Sequence, residues 1–338
     1  MENSLFSSFF RGVLNATAIC AIAGVTLVCS AHADEGSYQS TDKTSKLSHS
    51  FTFDGAYYPK SAYVKGEDHF AKPTGAFDGI LAKATWKSAY TIPTPLGSGP
   101  FLSSANVELA GSLEVSPLSI RPIASVAFSP LPFLAFDAGA SIGSGWNLLG
   151  FEGMCEYQND HYKNLTPFTR YYHDHWVSAT LQFDTGALIE GDWSHVVMLV
   201  NYQMIYKGII GVDDGKLWAW QTTEGYVNGL GYNFIALLGY QMPTFVNMVG
   251  FMAEMYGNYR NSDFGEYANT YGKFMTVRFN LFANLKLNET NSLLVDARVS
   301  SRRSFATDHK KGKEEPHLLQ TGREWFFDCI ALSWVRNF

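Results

Sequence analysis

From about residue 51 to the C-terminus, the chain alternates apolar and polar side chains in segments of roughly ten residues. Val295, Ala297 and Val299 alternate with Asp296, Arg298, Ser300 and Arg302. Val277, Phe279, Leu281, Ala283 and Leu285 alternate with Thr276, Arg278, Asn280, Asn284 and Lys286, and similar patterns run through 107–115, 134–142 and 177–184. Gly, Pro, Asn or Asp separate the segments. A period of two puts successive side chains on opposite faces of a strand, so each segment predicts a strand with one apolar face. Helical spacing is scarce beyond the N-terminal region. No segment there has the length of uncharged apolar sequence that a membrane-spanning helix needs.

Alternation alone fits two architectures. A soluble sandwich turns its apolar faces inward, whereas a membrane barrel turns them out to lipid and its polar faces into the lumen. The connections separate the two. Read back from Phe338, the stretches 306–323, 256–270, 208–228 and 146–173 are long, and 287–291, 241–244, 190–193 and 129–132 between them are short. Short turns on one rim and long loops on the other are expected where one rim faces the periplasm, and a sandwich has no reason to keep that parity. Further strands fit near 118–129, 104–115, 77–90 and 51–59, although 116–119 is a short turn on the long-loop rim and 91–103 a long connection on the other. The expected fold is all-β: a single transmembrane antiparallel up-and-down β-barrel of about twelve strands over 51–338, the even number that closure requires with both termini on one rim.

The N-terminus differs. Arg11 precedes an apolar stretch from Val13 to Val28, then Ala31, His32 and Ala33, which together have the three parts of a secretory signal peptide. Cleavage is expected near Ala33–Asp34, leaving 34–50 as a periplasmic segment ahead of the barrel. Neither Cys20 nor Cys29 follows a small residue, which argues against a lipid-anchored precursor. Cys155 and Cys329 remain, one in a predicted loop and one in a predicted strand, and are expected as separate thiols. Among 338 residues, 25 Lys and Arg stand against 31 Asp and Glu, and the net charge of −6 survives loss of Glu2 and Arg11. An acidic chain lacks the basic face of a nucleic-acid binder. With 17% charged and 15% aromatic residues, the chain is no disordered polymer either.

Trp86, Phe128, Phe136, Trp146, Phe183, Trp193, Tyr202, Tyr206, Tyr232, Tyr240 and Phe245 fall near predicted strand ends, where Trp and Tyr favour the membrane–water interface. The chain ends on Phe338, with Trp334, Leu332 and Ile330 at alternating positions before it, while Arg336 departs from the pattern. This ending resembles the β-signal of Gram-negative outer-membrane barrels. The resemblance implies insertion into outer-membrane lipid by the barrel-assembly machinery, with periplasmic chaperones as partners on the way.

If the polar faces line the lumen, Lys83, Lys87, Arg121, Lys207, Arg278, Lys286, Arg298 and Arg302 point inward, with Asp54, Glu108, Glu114, Asp137, Asp184 and Asp296. Such a mildly basic, mixed-charge lining suits a narrow channel or transporter for small polar or anionic solutes, since rings of charge set selectivity. An occluded structural or adhesive surface barrel is the alternative, with adhesion resting on the aromatic loops 146–173 and 208–228. No cofactor, metal, nucleic acid or enzymatic activity is expected. Outer-membrane phospholipases share the strand number but need a serine activated by a histidine facing lipid. His195, with Ser178 and Thr180 on the preceding strand, is predicted to face the lumen as a polar plug. His173, Asp174 and His175, with His161 earlier in the same loop, form the best metal-like cluster.

Overall fold

Twelve strands follow the alternating segments: β1 Lys46–Ser61, β2 Pro73–Pro93, β3 Asn106–Ser116, β4 Ser119–Leu131, β5 Leu134–Gly145, β6 Tyr172–Asp184, β7 Val196–Ile209, β8 Gly229–Gln241, β9 Val246–Asn258, β10 Thr276–Lys286, β11 Asn291–Phe305 and β12 Gln320–Asn337. The structure, a computed structural model, describes residues 45–97, 101–270, 272, 274–309 and 315–338, with a two-residue backbone ladder between Ile19–Cys20 and Leu27–Val28. The expected leader, its cleavage site and most of 34–50 otherwise lie outside the described residues. Each strand pairs antiparallel with the next, and β12 returns to β1 through pairs from Ile330–Tyr57 to Asn337–Ser50, so the sheet closes on itself. Strand β1 starts at Lys46 rather than 51, because its first residues pair with β2 as far as Thr91.

The rims keep the expected short-against-long parity except at 94–105 and 185–195, which are long, and 117–118, which is short. Both barrel ends and the connections 94–105, 132–133, 185–195, 242–245 and 287–290 lie on the inner rim; 62–72, 117–118, 146–171, 210–228, 259–275 and 306–319 lie on the outer. Leu113, Val126, Phe136, Val177, Leu181, Val200, Leu238, Phe251, Leu281 and Leu332 are exposed on the outside of the cylinder. Each such side chain left in water forgoes about 1.5–3 kcal/mol of burial, and hydrocarbon removes that cost. The chain is a transmembrane β-barrel, and the sandwich alternative, with its apolar faces inside, is excluded. Trp86, Phe183, Trp193, Phe245 and Phe338 stand exposed near the inner rim, and Tyr202, Tyr206 and Tyr259 toward the outer. Trp146 instead donates its indole N–H to the Pro117 carbonyl at 2.7 Å.

The C-terminus seals the seam. The Phe338 amide donates to the His49 carbonyl at 3.0 Å, its ring lies 5.4 Å from that of Trp86, and the rings of Trp334 and Phe51 meet at 5.9 Å. Ile330 and Leu332 face lipid.

Inside, the inner half of β7–β11 is apolar: Leu199, Ile235, Leu237, Met248, Met252, Phe282 and Leu294 form one buried cluster. At the outer end, two long loops build a four-stranded cap sheet ordered His161–Asn164, Met154–Gln158, Trp218–Trp220, Thr223–Tyr226. Its core joins Met154, Trp218 and Trp220 to Tyr172, Ile209 and Val212 of the barrel mouth. A second cluster seats Tyr157, Leu217 and Val227 on Phe264. The loop aromatics Tyr157, Trp218 and Trp220 are therefore buried in the cap, whereas Phe168 of the loop 146–171 is 59% exposed.

Candidate functional site

Between the cap and the middle of the barrel lies a cavity of about 600 Å³. Alternation delivers its cations. Lys83 on β2, Arg121 on β4, Lys207 on β7, Arg278 on β10, and Arg298 and Arg302 on β11 all line it, as their inward registers predict. Arg303, Asp78, Glu224, Glu315 and Asp328 complete its charged wall, among aromatic side chains that include Tyr58, Tyr63, Tyr172, Trp220, Tyr226 and Tyr256.

Buried acids organise these cations. Glu114 on β3 accepts from Lys83 and Arg121, each at 3.0 Å, and from the Gln221 amide of the cap at 3.1 Å. Arg121 reaches on to Asp174 at 3.3 Å, and Asp174 also accepts from Ser141 at 2.7 Å and Tyr172 at 2.6 Å. Arg298 donates to Asn280 at 2.7 Å and pairs with Asp296 at 3.3 Å. Arg278 approaches Glu254 only to 3.9 Å, while Asn280 donates to Glu254 at 2.8 Å. Arg302 bonds Glu324 and the Ala62 carbonyl and stacks on Tyr63 at 3.6 Å. Desolvating such charges costs several kcal/mol per ion, so the networks stand only because most donors and acceptors find partners.

The remaining expected lumen residues sit elsewhere in the interior. Asp54 accepts from Ser333 at 2.6 Å. Lys87 pairs with Glu108 at 2.8 Å, Asp137 accepts from the Trp176 indole, and Lys286 pairs with Glu289 at 3.3 Å near the inner rim. On the β7–β11 side, the buried apolar cluster around Met252 packs the interior below the cavity. Asn280 and Met252 are both 0% exposed and Asp54 1%, so water does not reach these side chains.

Two mouth loops contribute electrostatics of their own. Glu315 accepts from Arg303 at 3.1 Å and pairs with His309 at 3.3 Å. Burial by itself lifts the Glu315 carboxyl, but the His309 hydrogen bond and the Arg303 charge outweigh it and hold it below the ordinary carboxylate range. Burial pushes the Tyr63 phenol well up, and the Cys155 thiol up to about 12. Cys155 and Cys329 are both buried and free, as separate thiols.

The metal-like cluster comes apart by strand parity. His173 and His175 share the outward face of β6, with Nδ1 of one 3.3 Å from Nε2 of the other, while Asp174 between them points inward to Arg121. His161 contacts the Asn159 carbonyl instead. Among the described residues no group of three or more His, Cys, Asp or Glu is placed to hold a metal. His195 pairs with Asp184 at 2.8 Å, and Thr180 accepts from Asn201 at 2.8 Å. Several cavity residues escape sequence reading. Asp328 sits at a β-bulge, where Arg298 pairs with Cys329 but Val299 with Phe327, so it turns inward out of phase and accepts from Ser300 at 2.6 Å. Gln221 and Glu224 come from loops without period.

No protein-family profile matches the chain, and no curated relative matches it in sequence. Solved structures similar in fold are outer-membrane β-barrels. The KdgM porin is 8% identical over 86% of this chain and 99% of that one, with a TM-score of 0.35. The NanC porin is 6% identical over 85% and 98%, with a TM-score of 0.37. The β domain of the Bordetella autotransporter BrkA is 6% identical over 87% and 100%, with a TM-score of 0.41. These likenesses are remote; twelve-strand closure and the lipid-facing belt stand on the register and exposure described above.

Proposed function

We propose that the protein is a bacterial outer-membrane channel of narrow bore for small polar or anionic solutes, with the outer cavity as its selecting compartment and the cap as its gate. It is exported through a cleaved signal peptide and inserted by the barrel-assembly machinery, a reading supported by the leader pattern and by the Phe338 ending. The observation that carries the channel is the cavity wall, where Lys83, Arg121, Lys207, Arg278, Arg298, Arg302 and Arg303 stand against Asp78, Glu224, Glu315 and Asp328. Behind the wall, Glu114, Asp174, Glu254, Asp296 and Glu324 balance these cations, so fixed guanidinium and ammonium donors in a low-dielectric cylinder, rather than net charge, set selectivity. The bore of a twelve-strand barrel lies between filled eight-stranded and open sixteen-stranded examples.

Planar-bilayer recording of the purified protein tests this. Brief anion-preferring openings are expected, and they lengthen when the hairpin Trp218–Tyr226 is replaced by a short glycine linker. A second reading, an occluded structural barrel, is favoured by the packed level around Met252 and Asn280. Silence from both proteins at every voltage would establish that reading and end the channel proposal.

A further inference from the structure

Lys207 differs from every other cation in the cavity. Its ammonium lies 5.1 Å from the centroid of the Tyr226 ring, and among the described residues no hydrogen bond or ion pair reaches it. Asp174, opposite it in the β6–β7 ladder, is bonded to Ser141, Tyr172 and Arg121. An aromatic face compensates only part of an ammonium's lost hydration. The cross-strand neighbour of Lys207, Asp174, supplies a charge but no hydrogen bond or ion pair, so the ammonium keeps its donors for a further partner of opposite charge.

Arg278 supplies the second half. Its guanidinium sits 4.7 Å from the Tyr256 ring and 3.9 Å from Glu254, and its Nε is buried without a hydrogen-bond partner. The ladder places the two cations along one wall. Lys207 on β7 pairs with Gly229 on β8, and Tyr256 on β9 pairs with Thr276, two residues before Arg278 on β10. Strand β8 lines the cavity between them with Gly229, Gly231, Tyr232 and Asn233.

We infer that Lys207 and Arg278 form an oxyanion site in the cavity, taking the carboxylate or phosphate group of a small solute above the rings of Tyr226 and Tyr256. Guanidinium offers paired donors to such a group and ammonium a point charge, while the two rings give the solute's carbon frame an apolar floor. The site names the solute class of the proposed channel and rests on that reading only for the route by which the solute arrives.

Isothermal titration of the folded full-length protein in detergent tests it, with succinate and inorganic phosphate as the two oxyanion probes and succinamide as the neutral control. Saturable binding of at least one anion and none of succinamide is expected. Lys207→Gln and Arg278→Gln each weaken it about tenfold or more, the loss of one charge-assisted contact, and Lys207→Arg retains it. Heat-modified gel mobility checks that each variant is folded. Succinamide binding as well as succinate, or a folded Lys207→Gln protein binding like the wild type, overturns the site. Anion-selective conductance without saturable binding sinks the site and leaves the channel; saturable binding without conductance leaves the site and sinks the channel.

Discussion

Glu114 accepts from Lys83, Arg121 and Gln221 at once, so removing its charge leaves Lys83 without its ion pair and Arg121 with Asp174 alone. Glu114→Gln is expected to cost about 3–5 kcal/mol, the usual penalty for breaking one side of a buried ion network. Urea unfolding from vesicles measures it, and an unchanged midpoint would refute the network's role. Glu315 makes a pH prediction at the same scale. Its folded carboxyl is held below the ordinary 4.5, so its contribution is complete above that pH and is lost as the pH falls through its lower folded value. Hydrogen-exchange protection, corrected for the intrinsic rate at each pH, should therefore drop in 301–309 and 315–320 below about pH 4.5 while the mid-barrel amides keep theirs. Uniform protection down to the acid limit would mean that the Arg303 and His309 contacts do not secure this loop. Residues such as Lys83, Glu114 and Arg121 are legible from parity alone, because strand alternation fixes which face a side chain takes. Asp328 is not, because one bulge shifts the phase by a residue.

The cap sheet behaves as a separate element, joined to the barrel mouth through Tyr172, Ile209 and Val212. Trp218 is its centre: fully buried, its indole N–H donates to Asn228 at 3.1 Å and its ring meets those of Tyr172 and Tyr226. Trp218→Ala should cost the cap about 3–5 kcal/mol, the range for emptying a large aromatic site. Faster exchange confined to 153–165 and 212–228 is the expected result; equal loosening of β1–β6 would mean that cap and barrel unfold as one. This element could not be read ahead. Its strands of three to five residues are too short to show a period, and the Gln221–Thr222 turn runs at φ of 48° and 66° without the Gly or Asn that marks such turns. Strands β3–β6, β10 and β11 announce themselves because one face is polar. Strands β7–β9 are apolar on both faces in their inner halves, since Leu199, Ile235, Leu237, Met248 and Met252 turn inward there, and the turns around them give them away.

At the scale of the molecule, the architecture depends on which solvent meets the outer face. Leu281, 66% exposed at the middle of β10, sits opposite in sense to the buried Met252 on the neighbouring strand β9. In water such a leucine is a neutral surface residue, and an arginine there changes little. In hydrocarbon, arginine near the midplane costs about 2–4 kcal/mol, falling to about 0–1 at the interface. Leu281→Arg should therefore lower unfolding stability from phospholipid vesicles by that larger amount, whereas Leu188→Arg, on the inner-rim connection, should fall within the smaller one. The contrast between the two sites carries the test, because the change in charge and size is the same in both. Equal small effects would mean that the belt through Leu281 lies in water, and a closed cylinder with its apolar side chains outside would then have no medium to stand in.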